Sequence, residues 1–322
     1  MARALTQREI LVELEPVAGQ ALDRHLSVFK EWHPHDYIPW EEGRNFAALG
    51  GTDWEPGQST LSEVAKAALV TNLLTEDNLP SYHREIAENF SRDGAWGSWV
   101  GRWTAEEARH SIVLRDYLVV TRGVDPVALE NDRMTHMTNG YTPPTGAAAL
   151  ADAGFLFSVT YVSFQELATR ISHRNTAKVC DDPIADRMLQ RLALDENLHM
   201  IFYRTLCGAA LDLVPDQAME AIDLIVENFR MPGTGMPNFR RHGVLMAKHG
   251  IYDLRQHLED VLQPVLRHWN IFDRNDFGPR GEQARERLAD FLNTMETVHI
   301  PRFEEHRDRA LARERDRATV AV

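Results

Sequence analysis

Two short stretches pair a carboxylate with an imidazole at a spacing that could hold a metal ion: Glu107-Ala108-Arg109-His110 and Glu196-Asn197-Leu198-His199. On a helix, side chains three residues apart point the same way, one above the other. A carboxylate and an imidazole on one face suit a transition metal with mixed oxygen and nitrogen ligation. The spacing alone carries little weight. With 48 acidic residues and 14 histidines in 322, chance gives about two such matches. The chain holds three, the third being Glu296-x-x-His299. What lies upstream separates them. Glu76 precedes Glu107 by 31 residues and Glu166 precedes Glu196 by 30, so two like units repeat at an offset of 89 to 90. The place that would correspond before Glu296 is held by Leu266, and the third match reads as a decoy.

An interval of about thirty residues fits a helical hairpin. Half is spent climbing to a loop at ~1.5 Å per residue and half returning to the same height. Two hairpins side by side would bring Glu76, Glu107, Glu166, Glu196, His110 and His199 to one level of a four-helix bundle. That set matches the di-iron or di-manganese site of ferritin-like bundles: one glutamate from each of two helices, Glu-x-x-His from the other two. Glu106, four residues from His110, competes with Glu107 as a ligand, but the frame shared with Glu196 favours Glu107.

The rest of the chain is compatible with such a bundle. At 322 residues and 43% hydrophobic, with nothing resembling a linker, it reads as a single domain, 1–322. The bundle core would span about 60–212, with an N-terminal segment 1–59 and C-terminal helices 213–322 as appendages. Cys180 and Cys207 form no metal-binding or disulfide pattern, which points to a reduced, cytoplasmic setting. No run approaches eighteen uninterrupted apolar residues, and no apolar signal core opens the chain. A net charge of −13 argues against general nucleic-acid affinity.

Apolar periodicity predicts one or two helices over 7–31, with Pro16 near the junction. Trp32 to Trp40 is extended or turned around Pro34 and Pro39. His33 and His35 read as loop residues rather than ligands. Thr60-x-x-Glu63 reads as a capping box opening a long helix to about Phe90, bent by Pro80 just after Glu76. Further helices are expected to about Gly123, over 126–138 and 146–180, from Asp182-Pro183 to Pro215, then around 217–230, 239–250, 253–268 and 282–315. The fold class expected is all-α.

At the proposed ligands the sequence resembles the acyl-acyl carrier protein desaturases, the soluble desaturases of plant plastids and actinobacteria. The matching text comprises Thr75-Glu76 with Leu79-Pro80 and Tyr82; Trp103-Thr104-Ala105-Glu106-Glu107 with Arg109-His110; Ser163-Phe164-Gln165-Glu166 with Ala168-Thr169, Ile171-Ser172-His173 and Asn175-Thr176-Ala177; and Asp195-Glu196 with His199. Similarity is strongest over roughly 30 to 210. His83 and Arg174 depart from the plant pattern, outside the ligand set.

The resemblance implies two ferrous ions, one capped by Glu76 and His110, the other by Glu166 and His199, with Glu107 and Glu196 bridging. It further implies that Asp195 and Trp32 form a relay behind His110 and that Thr169 lies beside the oxygen-binding side. The implied activity is O2-dependent desaturation of a fatty acyl chain on acyl carrier protein, by a homodimer fed with electrons from a ferredoxin-type donor. An acyl chain would need an apolar tunnel. Phe155, Phe157, Tyr161 and Phe164, with Leu114 and Tyr117, could line it, although core packing explains any one of them as well. An acidic carrier would need a local basic patch on this acidic chain. Arg170, Arg174 and Lys178 are favoured over Arg240, Arg241 and Lys248. Iron storage by a ferritin-like protein, and di-iron oxygenation of a free small molecule, use the same ligands and stand as alternatives.

Overall fold

The computed structural model describes residues 4–140, 154–233 and 235–320. Among these there is no strand. The first helix, α1 (Gln7–Val28), starts from a capping box in which Thr6 and Glu9 satisfy each other's backbone N–H groups. It runs unbroken through Pro16, so the junction expected there is absent. The proline removes one hydrogen bond donor, and the residue four before it, Val12, lies at the exposed surface. Four short 3-10 turns then lead through residues 34–58.

The single long helix expected from Thr60 to Phe90 is two. Ser62, not Thr60, caps α2 (Glu63–Asp77), and Asn78 separates it from α3 (Leu79–Asn89). Pro80 sits in the first turn of α3, where its missing N–H costs nothing, so it starts a helix rather than bending one. Next come α4 (Gly94–Val120) and α5 (Pro126–Asn139). The next described helix is α6 (Gly154–Cys180); its expected start near 146 lies outside the described residues. Asp182 accepts from the Ile184 N–H and Pro183 opens α7 (Pro183–Leu213), as the sequence predicts.

Beyond the bundle lie α8 (Pro215–Asn228) and α9 (Phe239–Lys248). Two composite helices follow. In α10, Leu254–Gln256 passes through a π turn, His257–Leu262, into Gln263–His268. In α11, Pro279–Thr294 passes through a second π turn, Met295–His299, into Ile300–Val320.

α2, α4, α6 and α7 form a ferritin-like four-helix bundle, with α6 and α7 packed along their length and α1 laid across α4 and α7. The bundle buries two separate apolar bodies. One gathers Trp96, Trp99, Phe155, Phe164, Phe202 and Tyr203. The other gathers Leu69, Leu73, Leu114, Tyr117, Met188 and Leu192. Each of α4, α6 and α7 contributes to both, and residues of opposite character fill the level between them. That level is where Glu107, Glu166 and Glu196 lie.

Candidate metal centre

Six residues from four helices meet at this level, all buried: Glu76 from α2, Glu107 and His110 from α4, Glu166 from α6, Glu196 and His199 from α7. They form two groups of four. Glu76, Glu107, His110 and Glu196 offer donor atoms within 4.8 Å of one another, and so do Glu107, Glu166, Glu196 and His199. Ligand bonds of about 2 Å let one ion span such a group. Glu107 and Glu196 belong to both groups, the geometry two adjacent ions would need.

The histidines turn Nδ1 inward. His110 Nδ1 lies 3.2 Å from Glu107 Oε2 and 3.3 Å from Glu196 Oε1. His199 Nδ1 lies 2.7 Å from Glu107 Oε1 and 3.5 Å from Glu166 Oε2. Every one of the six carries a buried atom that lacks a hydrogen-bond partner: Glu76 Oε1, Glu107 Oε1, His110 Nδ1, Glu166 Oε2, Glu196 Oε1 and His199 Nδ1. Buried polar atoms are ordinarily satisfied. Here the unsatisfied ones converge on one space, as the donor atoms of a cation site would.

Charge tells the same story. Glu106 and Asp195 are also fully buried, which makes six carboxylates with Glu76, Glu107, Glu166 and Glu196. Two arginines sit against them: Arg102 on Glu106 and Arg191 on Asp195, each one turn earlier on the same helix. A charge of four remains in a low-dielectric interior, which is very costly without cations. Without a cation, protons would offset this charge. Burial alone would depress both imidazoles, but Glu107 and Asp195 around His110, and Glu106 and Glu107 around His199, push them well above their usual range. Burial and the neighbouring Glu196 raise Glu166 well above the ordinary carboxylate range, and burial with the Glu107 charge brings Glu196 to about 7.

Asp195 and Trp32 lie on the outer side of His110. Trp32 Nε1 donates to Asp195 Oδ2 at 2.7 Å, and that oxygen lies 3.6 Å from His110 Nε2. Glu106, weighed against Glu107 as a ligand, belongs to neither group of four. Its Oε2 accepts from His199 Nε2 at 2.9 Å, so it stands behind His199 as Asp195 stands behind His110. Thr169 lies one turn after Gln165 on α6 and accepts a 2.9 Å hydrogen bond from its amide. Glu296 and His299 are exposed in the π turn of α11.

Residues not singled out from the sequence also border the centre. Trp103 Nε1 donates to Glu166 Oε1 at 3.1 Å. His173 Nε2 lies 3.3 Å from Glu76 Oε1 and 3.5 Å from Glu196 Oε1, but joins neither group of four. His25 reaches Glu106 from α1. The arginines had a legible signal, since Arg-x-x-x-(Glu or Asp)-Glu-x-x-His occurs at both 102–110 and 191–199. His25 had none, because its placement depends on how helices pack; His173 stands in the family-like stretch Ile171-Ser172-His173, but outside the repeat frame.

A half-open cleft with a cavity volume of about 90 Å³ reaches the centre at Glu76 and Thr169, lined further by Met231, Phe239, Met246 and Tyr252. The aromatics expected to line a tunnel do not line it. Phe155, Phe164, Leu114 and Tyr117 are packed in the two cores, with Phe157 and Tyr161 against one of them. Their apolar spacing is that of bundle interior. Of the two basic sets, Arg174 faces Asp186 at 3.9 Å and the Lys178 ammonium is bonded to Asn175. Arg240 and Arg241 are exposed and adjoin Phe239 at the cleft, while Lys248 pairs with Glu314.

The family model described as fatty acid desaturase matches residues 6–320. The chain is 55% identical to DesA1 of Mycobacterium tuberculosis, named as an acyl-acyl carrier protein desaturase, over 98% of this chain and 93% of that one. It is 28% identical to the chloroplastic stearoyl-acyl carrier protein 9-desaturase 1 of Arabidopsis thaliana, over 87% of this chain and 74% of that one. The crystal structure of DesA2 from M. tuberculosis, likewise named as an acyl-ACP desaturase, superposes with a TM-score of 0.69 at 32% identity. The match covers 86% of this chain and 99% of that one.

Proposed function

Because this chain belongs to the fatty acid desaturase family and is an acyl-acyl carrier protein desaturase, we propose that it is a di-iron enzyme that uses dioxygen to introduce a double bond into a carrier-bound acyl chain. The observation that carries this reading is the pair of four-donor groups sharing Glu107 and Glu196 beside an apolar cleft. Glu76 and His110 would cap one ion, Glu166 and His199 the other. Four carboxylates match the charge of two divalent ions, and neutral imidazoles complete each group. When bound, a ferrous pair supplies the electrons with which dioxygen can take hydrogens from two adjacent unactivated carbons, chemistry beyond any protein side chain.

The chain's own residues position and shield this chemistry. Methionine and aromatic side chains along the cleft would hold the acyl chain away from water. Thr169 Oγ1 accepts from Gln165 and so keeps its own hydrogen free to donate towards the cleft. Arg191 and Trp32 hold Asp195 on the outer side of His110, where it would orient the ring with Nδ1 inward once an ion is bound. Two further electrons per turnover come from a ferredoxin-type donor, with Trp32 the outward end of the His110–Asp195 relay. Arg240 and Arg241 give an acidic carrier a basic landing beside the cleft; this replaces the Arg170 set favoured from sequence. We read the whole chain as one unit acting as a homodimer in the cytoplasm. No helix among the described residues is long and apolar enough to cross a membrane.

An apolar cleft at the ligands favours desaturation over iron storage. The test is reconstitution with ferrous iron, a reductase–ferredoxin pair and acyl carrier protein thioesters of several chain lengths, read by mass spectrometry. Loss of two hydrogens from one substrate is expected. Iron-loaded protein that alters none of them would overturn the reading.

A further inference from the structure

The centre has two flanks built alike up to their outermost residue. On one, His110 faces Asp195, Asp195 is clamped by Arg191, and Trp32 closes the chain. On the other, His199 faces Glu106 and Glu106 is clamped by Arg102. The outermost residue there is His25, whose Nε2 lies 3.0 Å from Glu106 Oε2 and 3.2 Å from Oε1. Each carboxylate immediately precedes a proposed bridging glutamate in sequence, yet serves the histidine of the opposite helix. The two flanks thus cross-tie α4 and α7.

His25 is placed by more than this contact. It is 4% exposed, on the last turn of α1. Its ring meets Trp99 edge-on at 5.1 Å and stacks at 5.8 Å on Phe29 and 5.9 Å on His199. An ionised Glu106 can only accept, so both imidazoles must donate to it from Nε2. With an ion bound, His199 would then offer an unprotonated Nδ1 on the side of Glu107 and Glu166. The other nitrogen of His25 has no hydrogen-bond partner, and the residue borders an open cleft between α1 and α7, with Gln20, Arg24 and Thr205 on its walls.

We propose that His25 is a positioning residue for one half of the metal centre: its Nε2–H fixes Glu106, which holds His199 in the orientation and tautomer that ligate the ion shared with Glu166. Trp32 does the corresponding work for the ion at His110, so the two ions respond to different residues of the N-terminal segment. This rests on the di-iron reading above.

The test is anaerobic ferrous titration of metal-free protein, followed by near-infrared circular dichroism of the loaded centre. The proteins compared are wild type, His25→Ala, His25→Gln and Trp32→Phe, with helicity and melting checked for each. Wild type should bind two ions. His25→Ala should keep one at wild-type affinity and bind the other about 10- to 100-fold more weakly, the usual effect of losing a ligand's hydrogen-bond partner. Millimolar imidazole, admitted by the cleft, should restore the weakened ion. His25→Gln, whose amide can still donate to Glu106, should lose less. Trp32→Phe should perturb a different set of bands. If His25→Ala binds both ions at wild-type affinity with an unchanged spectrum, or weakens both equally without answering imidazole, the inference is wrong while the di-iron reading stands. A wild-type protein that binds no ferrous iron would overturn both.

Discussion

Glu107–His110 and Glu296–His299 share residue types, spacing and a helical backbone, yet one pair is buried among four helices and the other lies open to solvent. In α4 the pair meets Glu76, Glu166, Glu196 and His199 coming from α2, α6 and α7. In α11 it falls in a π turn, whose wider i→i+5 bonding rotates positions three apart away from one another. Nothing in the repeat frame answers it, since Leu266 is packed in the apolar core. A three-residue spacing can aim two side chains. Burial opposite the same groups on another hairpin is what makes them a site.

The largest expected effect that sharpens this contrast is at the shared carboxylates. Glu107→Ala or Glu196→Ala removes a donor from both groups of four, so bound iron should fall from two per chain to less than one and desaturation should be lost, as measured by metal analysis and product mass spectrometry. Next is metal removal. Iron at about a thousand times its dissociation constant adds about 4 kcal/mol to the stability of the folded state. Chelation should therefore lower the melting temperature by several degrees.

That gap should widen with pH. His110, His199, Glu166 and Glu196 all hold protons more tightly in the metal-free fold than in the unfolded chain. Their contribution is full below the unfolded values, about 4.3 for Glu and 6.5 for His, and is lost as pH rises through the folded ones. Metal-free protein should thus melt progressively lower from about pH 5 to about pH 8. Iron must displace the same protons, so its affinity should rise over that window. A metal-free melting temperature that climbs with pH there would contradict the assignment.

Smaller again is Asp195→Asn. It keeps the shape but weakens the hold on His110 Nε2 and Trp32, and should cost about 10- to 100-fold in iron affinity at one ion. Smallest are Glu296→Ala and His299→Ala. These should leave two ions bound and change stability by no more than about 0.5 kcal/mol, as at ordinary surface positions. Loss of iron in either would erase the contrast from which this comparison begins.

Much of the site was legible because helices convert sequence spacing into geometry. The interval from Glu76 to Glu107, repeated from Glu166 to Glu196, placed the four helices at a common height, and the duplicated Arg-x-x-x-acid stretch also held the clamps on Glu106 and Asp195. His25 was not legible, since it arrives from a position fixed by packing. Nor was the cleft. Aromatic runs on α6 mark bundle interior, whereas the wall at Met231, Phe239, Met246 and Tyr252 comes from segments with no periodic relation to the ligands. Pro16 and Pro80 show the limit of reading prolines locally. The first is carried inside an otherwise regular α1, and the second begins a new helix where one continuous helix was expected.

The interruption at Asn78 makes the four carboxylates mechanically unequal. Glu107, Glu166 and Glu196 each sit deep inside an unbroken helix of 27 to 31 residues, so their backbones are clamped from both directions. Glu76 is the penultimate residue of α2, beside the cleft, and the helix is interrupted two residues later at the buried Asn78. Of the four carboxylates, Glu76 is thus the one whose backbone is held by helix on one side only, and it is the one that faces the cleft.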